Sequence, residues 1–456
     1  MHDAIESAGE FESSDALLNR IYRNIYWGMR GNYRSIPTDC PQRDERQGWL
    51  GDRSVGSLSE SYLFDVAAFY TKWATDLADS QREDGSIPDV APNYWKMHND
   101  GIVWPSTFLL VASMVYDQYG DARLIERYYP AMKKWVEYMS GFLKDGIMPK
   151  NSYGDWCTPP EKPELIHSMD PGRITKGALI STAYYYKMLQ LMRRYAMLSG
   201  HDQDAPEFQA LAAKIREAFL KTYFKSAEGR FDNGTQTSSV LPLAFGMVPE
   251  QERTRAFENL VQKIKGESDN HIGVGLVGAQ WLMRTLSDNG RTDLAYTIAT
   301  QKTYPGWGYM VGKDATTVWE LWNGDTADPA MNSGNHVMLI GDLALWMYED
   351  LAGIRPDPDR PGFKHAMIRP VAVPALTYVN AWHKSPYGVV KSSWKRAGGR
   401  LSLQVTIPPN TTATVYVPGS NAAETGGLKP VRNEGGATVF EASSGSYAFM
   451  VQSDRQ

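Results

Sequence analysis

The chain reads Asp39-Cys-Pro-Gln-Arg-Asp-Glu-Arg-Gln-Gly-Trp-Leu-Gly-Asp52 in the first long gap between its helical segments. These fourteen residues hold four carboxylates, two arginines, one tryptophan and two glycines. Proline and glycine break regular structure, so the stretch is predicted to be a loop. Carboxylates that lie close together move each other's pKa values apart, so that one stays protonated while another ionises. Such a loop suits acid/base chemistry on a sugar, and a charged surface turn is the alternative.

Helical patterns extend in both directions from this loop. On its N-terminal side Leu18, Ile21 and Ile25 recur at three- and four-residue steps, which is typical of an amphipathic helix. Ser14 or Asp15 could cap that helix. Similar patterns predict twelve helices, at 15–31, 53–64, 66–82, 104–119, 121–145, 174–200, 205–223, 236–247, 250–266, 275–287, 291–301 and 333–353.

The lengths of the gaps between these helices decide the fold. Long and short gaps alternate along the whole helical region. Short connections join antiparallel neighbours, so all six long loops are expected at one end of the assembly. We therefore predict six helical hairpins closed into a ring, an (α/α)6 barrel. An open superhelix of hairpins is the alternative, although no fixed-period repeat is present.

The character of the sequence changes after Ile354. The run Arg355-Pro-Asp-Pro-Asp-Arg-Pro-Gly362 is typical of a linker, and beyond it short segments alternate apolar and polar residues as half-buried strands do. These strands are predicted at 365–369, 376–383, 388–395, 400–407, 411–417 and 446–451. A chain of 456 residues is too long for one ordinary core. We predict a loose lead-in segment (1–14), the barrel (15–354), a linker (355–364) and a small antiparallel β-sandwich (365–456).

Composition excludes several classes of function. The net charge is −5 and the isoelectric point is near 6.0, without a strong basic run, so nothing indicates nucleic acid or an anionic membrane surface as a partner. No stretch of about 18 apolar residues occurs, and a membrane span is not expected. The N-terminus has no apolar signal-peptide segment. We expect a cytoplasmic protein by default, and a periplasmic or secreted one if the N-terminus is truncated.

Two cysteines, Cys40 and Cys157, are too few for a disulfide framework or a cysteine-rich zinc site. They could form one bridge, and two reduced thiols are the expected state. No HExxH motif, histidine pair or EF-hand loop occurs. The 39–52 loop could in principle bind Ca²⁺, but Arg43 and Arg46 oppose a cation there. Because nucleotide-binding motifs are also missing, we expect neither a metal nor a cofactor.

Tryptophan is concentrated in the long gaps. Trp and Tyr are favoured where a flat apolar face lies beside a polar group, as in sugar sites. Trp104 lies at the edge of a long gap, and six of the 14 tryptophans lie inside one. A helical core does not predict this clustering, whereas a deep pocket does. The six are Trp49, Trp95, Trp156, Trp307, Trp319 and Trp322.

Three later loops carry residues that could complete a sugar site. Glu320 is flanked by apolar and aromatic residues, and such surroundings raise the pKa of a carboxyl group. Asp155 could bind sugar hydroxyls while Trp156 stacks on the sugar ring. His336, at the start of the last predicted helix, could hydrogen-bond a hydroxyl group, although a lone histidine is more often structural.

These motifs resemble the signature of the α-L-rhamnosidases of glycoside hydrolase family 78, and the resemblance covers nearly the whole chain. Asp39 to Asp52 is its most specific part. The other matching segments are Gly154-Asp-Trp156, Tyr304-Pro-Gly-Trp-Gly-Tyr309, Thr316-Thr-Val-Trp-Glu-Leu-Trp322, Asn332-Ser-Gly-Asn-His336, Ser385-Pro-Tyr-Gly388 and Ile407-Pro-Pro-Asn-Thr-Thr-Ala-Thr-Val415. That family has an (α/α)6 barrel followed by a β-sandwich, in agreement with the pattern of gaps.

The resemblance implies an exo-acting enzyme that releases terminal α-L-rhamnose from a glycoside or polysaccharide with inversion. It implies that Glu45 is the general acid and Glu320 the general base. Inversion requires the two carboxyl groups to lie about 6.5–9.5 Å apart, so that water fits between the base and the sugar. The implied sugar-binding residues are Asp39, Arg43, Trp49, Asp52, Trp104, Trp156 and His336, with Asp155 as the neighbour of Trp156.

Two features depart from the family pattern. Leu50 stands where the family usually has threonine, beside the pocket, and this change could alter specificity. Family members also usually carry β-domains before the barrel, so this chain is expected to be a short form or a fragment. The alternatives are an inverting glycosidase for another sugar on the same barrel and a non-catalytic carbohydrate-binding protein. The presence of both glutamates argues against the second alternative.

Overall fold

A computed structural model describes residues 2–452 and shows a helical barrel followed by two β-sheets. The first helix, α1 (Ala16–Gly31), buries one apolar side. Asp15 is its cap, because its carboxylate accepts hydrogen bonds from the backbone N–H groups of Leu17 and Leu18. The other α-helices are α2 (Leu50–Ser54), α3 (Ser57–Leu63), α4 (Ala67–Asp79), α5 (Thr107–Tyr119), α6 (Arg123–Ser140), α7 (Gly177–Leu198), α8 (Ala205–Tyr223), α9 (Gln236–Ala244), α10 (Glu250–Gln262), α11 (Leu276–Ala279), α12 (Leu282–Asp288), α13 (Thr292–Ala299), α14 (Trp307–Gly312) and α15 (Leu343–Trp346).

The helices form an inner and an outer layer. In the inner layer each of α3, α5, α7, α9, α12 and α15 packs against the next, and α15 packs against α3. Most residues of α5 and α7 are buried, whereas α8 and α10 bury only a few. A closed inner ring with half-buried helices outside it is the predicted (α/α)6 barrel, and it excludes the open superhelix. Among residues 2–452, no helix combines the length and apolarity needed to cross a membrane.

Three of the predicted helices are interrupted. The helix predicted at 53–64 is α2 and α3 with a break near Gly56, and the helix predicted at 275–287 is α11 and α12. The helix predicted at 333–353 contains a 3-10 turn, α15 and a π-helical turn. In addition, α14 lies in a gap predicted to be a loop. Apolar periodicity does not register such breaks, because the residues on both sides of each break remain buried.

The C-terminal part forms two packed sheets. One has the order β1-β6-β7-β8-β13-β10 and the other β11-β12-β9-β5-β4, while β2 and β3 form a hairpin in a barrel loop. The strands are β1 (Gly9–Ser13), β2 (Phe224–Lys225), β3 (Arg230–Phe231), β4 (Ile354–Pro356), β5 (His365–Ile368), β6 (Tyr378–Ser385), β7 (Gly388–Ala397), β8 (Arg400–Ile407), β9 (Thr412–Pro418), β10 (Ala423–Glu424), β11 (Arg432–Glu434), β12 (Ala437–Ala442) and β13 (Gly445–Gln452).

The predicted loose lead-in segment is wrong. Strand β1 pairs antiparallel with β6, with Phe11 opposite Ala381, and Phe11 is buried. Strand β4 begins at Ile354, the last residue of the predicted barrel, and continues into the run predicted to be a linker. The pairing of β5 with β9 is parallel, so the sandwich is not wholly antiparallel. Strand β1 is short and its partner lies far along the chain, which is why local alternation did not reveal it. Strand β4 has only three residues, too few to show an alternating pattern.

The six-stranded sheet is fixed to the end of the π-helical turn that follows α15. The Trp394 indole donates a hydrogen bond of 2.8 Å to the carbonyl oxygen of Leu351. The Ser392 hydroxyl donates one of 2.6 Å to the carbonyl oxygen of Ala352. Both donors are buried, so these bonds hold the sheet against the end of the inner helical ring.

Candidate active site

The long loops of the barrel enclose a cavity of about 230 Å³. Nine of the ten side chains that line it are residues predicted from the sequence to act on or bind a sugar. The ten are Asp39, Arg43, Glu45, Trp49, Asp52, Trp104, Tyr153, Trp156, Glu320 and His336. Of the predicted residues only Asp155 does not line the cavity, and Tyr153 was not predicted.

Two glycines let the 39–52 loop pack closely at this cavity. A Cβ on Gly51 would lie 2.5 Å from the indole ring of Trp104. A Cβ on Gly48 would lie 2.2 Å from the carbonyl oxygen of Ala91. Both distances are too short for any side chain, so the loop can approach its neighbours this closely only with glycine. The start of α2 then delivers Asp52 to the cavity wall.

Arg43 lies between the two candidate catalytic glutamates. Its Nη1 is 3.4 Å from Glu45 Oε2 and also 3.4 Å from Glu320 Oε1. Its Nη2 is 2.9 Å from Glu320 Oε2. Because Arg43 Nη1 is 3.4 Å from each of them, Glu45 Oε2 and Glu320 Oε1 cannot lie farther apart than twice this distance. Glu45 and Glu320 therefore face one small space across a shared arginine.

The two glutamates lie at different depths. The Trp49 indole donates a hydrogen bond of 2.6 Å to Glu45 Oε1, which fixes that carboxylate. The side chain of Glu45 keeps 21% of its surface exposed, while that of Glu320 keeps 5%. Glu45 is thus nearer the mouth of the cavity, where a leaving group would depart, and Glu320 is nearer its floor.

Burial is the main influence on Glu320. It raises the pKa of this carboxyl group to about 7, while the nearby Arg43 guanidinium acts in the opposite direction. The carboxylates of Asp39 and Glu45 add smaller upward effects. The backbone N–H of Glu320 donates a hydrogen bond of 2.9 Å to the carbonyl oxygen of Ser333, so its position is fixed. A carboxyl group with this pKa can exchange a proton near neutral pH.

A neutral histidine stands between two buried aspartates. His336 Nε2 lies 3.7 Å from Asp39 Oδ2 and 3.7 Å from Asp52 Oδ1. The backbone N–H of Met338 donates a hydrogen bond of 3.3 Å to His336 Nδ1. Burial and nearby arginines lower the pKa of His336 to about 3, so the ring is neutral near pH 7. Since Nδ1 accepts a hydrogen bond, the ring proton is on Nε2 and faces the aspartates.

The two aspartates have free capacity for a ligand. Burial raises the pKa of Asp39 to about 6 and holds that of Asp52 well above its usual value. Trp104 Nε1 donates a hydrogen bond of 3.0 Å to Asp52 Oδ2, while Asp39 Oδ1 is buried without a hydrogen-bond partner among the described residues. An unpaired buried oxygen is costly, and a sugar hydroxyl would satisfy it.

Tyr153 completes an aromatic wall that sequence analysis found only in part. Its ring centroid lies 4.3 Å from that of Trp104, 6.0 Å from that of Trp49 and 5.9 Å from that of Trp156. Its hydroxyl donates a hydrogen bond of 2.8 Å to Asp89 Oδ2. In the sequence, Tyr153 could be noticed only because it lies in the same loop as Trp156, which was predicted to stack on the sugar. An aromatic residue in a loop does not by itself indicate a ligand.

Asp155 does not line the cavity, contrary to the prediction that it binds sugar hydroxyls. Its Oδ1 accepts hydrogen bonds from the backbone N–H groups of Val277 and Gly278, at 2.9 and 3.1 Å. Its Oδ2 accepts hydrogen bonds from the Gly275 backbone N–H, at 3.0 Å, and from the Thr237 hydroxyl. Four donors of the chain occupy both oxygens, so Asp155 fixes its loop against the start of α11 instead.

Interior packing explains two of the loop tryptophans. Trp307 and Trp322 are buried, with ring centroids 5.2 Å apart. Their indole N–H groups donate hydrogen bonds to backbone carbonyl oxygens. Trp307 and Trp322 therefore do not belong to the pocket, and the expectation that the loop tryptophans line one deep pocket is wrong for them. Trp95 lies outside the cavity and contacts Trp49.

One group of potential metal ligands is present among residues 2–452. Single ligand atoms of Asp39, Cys40 and Glu45 lie within 4.8 Å of one another. Burial raises the pKa of the Cys40 thiol well above its usual value, and a protonated thiol is a poor ligand. The Arg43 guanidinium beside Glu45 repels a further cation. The group does not suit a metal, and Cys40 and Cys157 are separate buried thiols.

The chain is similar to proteins of one family. The family model described as the bacterial alpha-L-rhamnosidase 6 hairpin glycosidase domain matches residues 6–351, and that of the bacterial alpha-L-rhamnosidase C-terminal domain matches residues 353–431. An α-L-rhamnosidase from Streptomyces avermitilis is 36% identical over 99% of this chain and 43% of its own length. One from Formosa agariphila is 36% identical over 97% of this chain and 49% of its own length.

A solved structure of one of these relatives has the same fold as this chain. The crystal structure of the Streptomyces avermitilis α-L-rhamnosidase complexed with L-rhamnose matches with a TM-score of 0.92 and 35% identity. The match covers 99% of this chain and 43% of that chain. The present chain therefore spans about half the length of the relatives that it matches.

Proposed function

The chain belongs to the bacterial α-L-rhamnosidase family, and on this premise we propose that it is an exo-acting, inverting glycoside hydrolase that releases terminal α-L-rhamnose from glycosides or polysaccharides. The observation that carries the proposal is the placement of Glu45 and Glu320 across Arg43 in one small cavity. At about 230 Å³, the cavity is smaller than sites for drug-sized ligands. It suits a single terminal sugar ring.

We assign the general acid to Glu45 and the general base to Glu320. Glu45 is nearer the mouth and can protonate the leaving oxygen as the rest of the substrate departs outward. Glu320 is deeper and can take a proton from a water molecule on the opposite face of the sugar. The raised pKa of Glu320 would suit either role, so the assignment rests on depth and on family membership.

The remaining cavity residues suit rhamnose in two ways. Asp39, Asp52 and the Nε2–H group of His336 offer hydrogen bonds to hydroxyl groups. Trp104 and Tyr153 form an apolar wall. Rhamnose carries a methyl group at C5 where most hexoses carry CH2OH, and that wall suits the methyl group.

We also propose that the catalytic barrel comprises residues 15–354 and contains the whole site. All ten cavity residues lie in it. The linker (355–364) and the sandwich (365–456) contribute none of them. Hydrogen bonds from Ser392 and Trp394 to the end of the π-helical turn after α15 support a structural role for the sandwich.

The proposal is tested with a panel of p-nitrophenyl glycosides of rhamnose, fucose, arabinose and glucose. Release from the α-L-rhamnoside is the expected result. Release from another sugar alone would support an inverting glycosidase of different specificity. Binding of L-rhamnose without any release would support a non-catalytic carbohydrate-binding protein.

The value of kcat/KM is expected to fall as the pH drops below about 7, by about tenfold per pH unit, because the base must be ionised and burial raises the pKa of Glu320 to about 7. The pKa is higher in the folded state than in the unfolded state, so protonation of Glu320 stabilises the fold, and this stabilisation is lost as the pH rises through about 7. Protonation of Glu320 near pH 5 therefore does not unfold the protein, and a loss of activity at that pH reports the protonation of the base. A kcat/KM that stays flat between about pH 5 and 7 would contradict the assignment.

The Trp156→Ala variant is expected to raise KM for a rhamnoside by about three- to tenfold, because an aromatic stacking contact is worth about 0.5–1.5 kcal/mol. Steady-state kinetics and a thermal melt measure the effect on binding and on folding separately. Trp27→Ala is the matched control, since Trp27 is 55% exposed on α1. An unchanged KM for Trp156→Ala would remove the stacking role.

A further inference from the structure

The loop between α4 and α5 presents two exposed aromatic side chains, and the second of them, Trp95, packs against the cavity residue Trp49. Tyr94 is 79% exposed and Trp95 is 43% exposed. No other large apolar side chain among the described residues is as exposed as Tyr94. Neither residue lines the sugar cavity. Exposed aromatic residues grouped at the edge of a site indicate a surface that binds something.

Backbone hydrogen bonds attach this loop to the 39–52 loop. The N–H of Leu50 donates to the carbonyl oxygen of Asp89 at 2.9 Å, and the N–H of Ala91 donates to that of Gly48 at 3.0 Å. The N–H of Asp89 also donates to the carbonyl oxygen of Met97 at 2.9 Å, which closes the segment between these two residues. The segment that carries the two aromatic residues is therefore fixed relative to the candidate acid.

His98 also holds this loop in place through hydrogen bonds of its ring. One ring nitrogen of His98 lies 3.0 Å from the Asn93 side-chain amide nitrogen, and the other lies 3.2 Å from the Ser86 hydroxyl. Burial lowers the pKa of His98, so the ring is neutral near pH 7 and can accept a hydrogen bond at one nitrogen and donate at the other. The loop is thus braced by side chains as well as by its backbone.

Contacts between neighbouring side chains lead from the candidate acid to Trp95, the residue that follows Tyr94. Trp49 donates its indole N–H to Glu45. The Trp95 ring packs edge to face with Trp49, with centroids 6.2 Å apart and an angle of 81° between the planes. Since Trp95 is nevertheless 43% exposed, much of its ring faces solvent outside the cavity.

From this geometry we infer that Trp95 and Tyr94 form a subsite for the leaving group and favour leaving groups that carry a ring. The inference rests on the proposed function, because the general acid protonates the oxygen that joins rhamnose to the leaving group. With Glu45 at that oxygen, the next atoms of the substrate pass Trp49 and meet Trp95. A flat aryl ring or the apolar face of a second sugar can stack there, whereas a methyl group is too short to reach.

The test compares kcat/KM for three substrates: methyl α-L-rhamnoside, p-nitrophenyl α-L-rhamnoside and a disaccharide with terminal α-L-rhamnose. Trp95→Ala is expected to lower kcat/KM about three- to tenfold for the two ring-bearing substrates, and the Tyr94→Ala, Trp95→Ala double variant to lower it further. The value for the methyl rhamnoside and the Kd for free rhamnose are expected to stay unchanged. The exposed Trp27→Ala variant is the control and is expected to change none of these values.

A decrease confined to the p-nitrophenyl substrate identifies an aryl leaving group, and a decrease confined to the disaccharide identifies a sugar; both support the subsite. Equal changes for all three substrates, or no change, would overturn it. If the wild type releases rhamnose from none of them, the proposed activity fails instead. The same comparison is then made on Kd values from calorimetry, where equal Kd values for wild type and Trp95→Ala would overturn the subsite separately.

Discussion

Glu45→Gln is expected to lose about a hundredfold or more in kcat on methyl α-L-rhamnoside while it keeps its fold. The amide oxygen of glutamine can still accept the hydrogen bond from Trp49, but the amide cannot give a proton to the leaving oxygen. A p-nitrophenolate leaving group needs little protonation, so the loss on p-nitrophenyl α-L-rhamnoside is expected to be smaller. The ratio of the two kcat losses is the measurement.

Asp44→Asn is the matched control for this variant. Asp44 precedes Glu45 in the same loop, and its side chain is fully exposed, 4.0 Å from Arg46. Its replacement removes one negative charge from the loop without touching the cavity, and kcat is expected to stay at the wild-type value. If Glu45→Gln retains more than about a tenth of wild-type activity on the methyl rhamnoside, Glu45 is not the acid.

Glu320→Gln is expected to lose about a hundredfold or more on both substrates equally. The base acts on the attacking water and not on the leaving group, so the quality of the leaving group cannot rescue the variant. Glutamine resembles the neutral form of Glu320, which burial already favours, so the thermal midpoint at about pH 8 is not expected to fall. Kinetics on both substrates and a thermal melt measure these effects.

The opposite pattern would exchange the two roles. A leaving-group dependence in Glu320→Gln and equal losses in Glu45→Gln would make the deeper residue the acid. The raised pKa of Glu320 is compatible with that outcome, and the greater exposure of Glu45 is not. The pair of variants therefore decides between two assignments that one pKa value leaves open.

The alternation of gap lengths predicted six helical hairpins, because helix periodicity and connection length are local properties, and it favoured a closed ring with an open superhelix as the alternative. Breaks within the buried helices were not predicted, since apolar residues continue across the break between α2 and α3. Strand β1 was missed because five residues give little alternation, and its partner β6 lies at the other end of the chain. Pairing across such a distance depends on the whole fold.

At the candidate site, too, some features could be predicted from the sequence and others could not. Carboxylates and tryptophans in the long loops are chemically unusual and pointed to a site, and the family resemblance then implied most of the residues that line the cavity. Asp155 met the same criterion, yet its partners lie in α11 and in the turn before it, and only the three-dimensional structure shows that they saturate it. Tyr153 was missed for the converse reason, because two of its three aromatic neighbours on the cavity wall, Trp49 and Trp104, come from other loops.

Proton NMR tests most directly whether Glu45 and Glu320 cleave an α-L-rhamnoside with inversion. The protein is mixed with p-nitrophenyl α-L-rhamnopyranoside, and the anomeric signal of the first sugar released is followed before mutarotation. β-L-Rhamnose as the first product is the expected result, because water attacks from the face opposite the leaving group. α-L-Rhamnose as the first product would contradict inversion and the roles assigned to both glutamates.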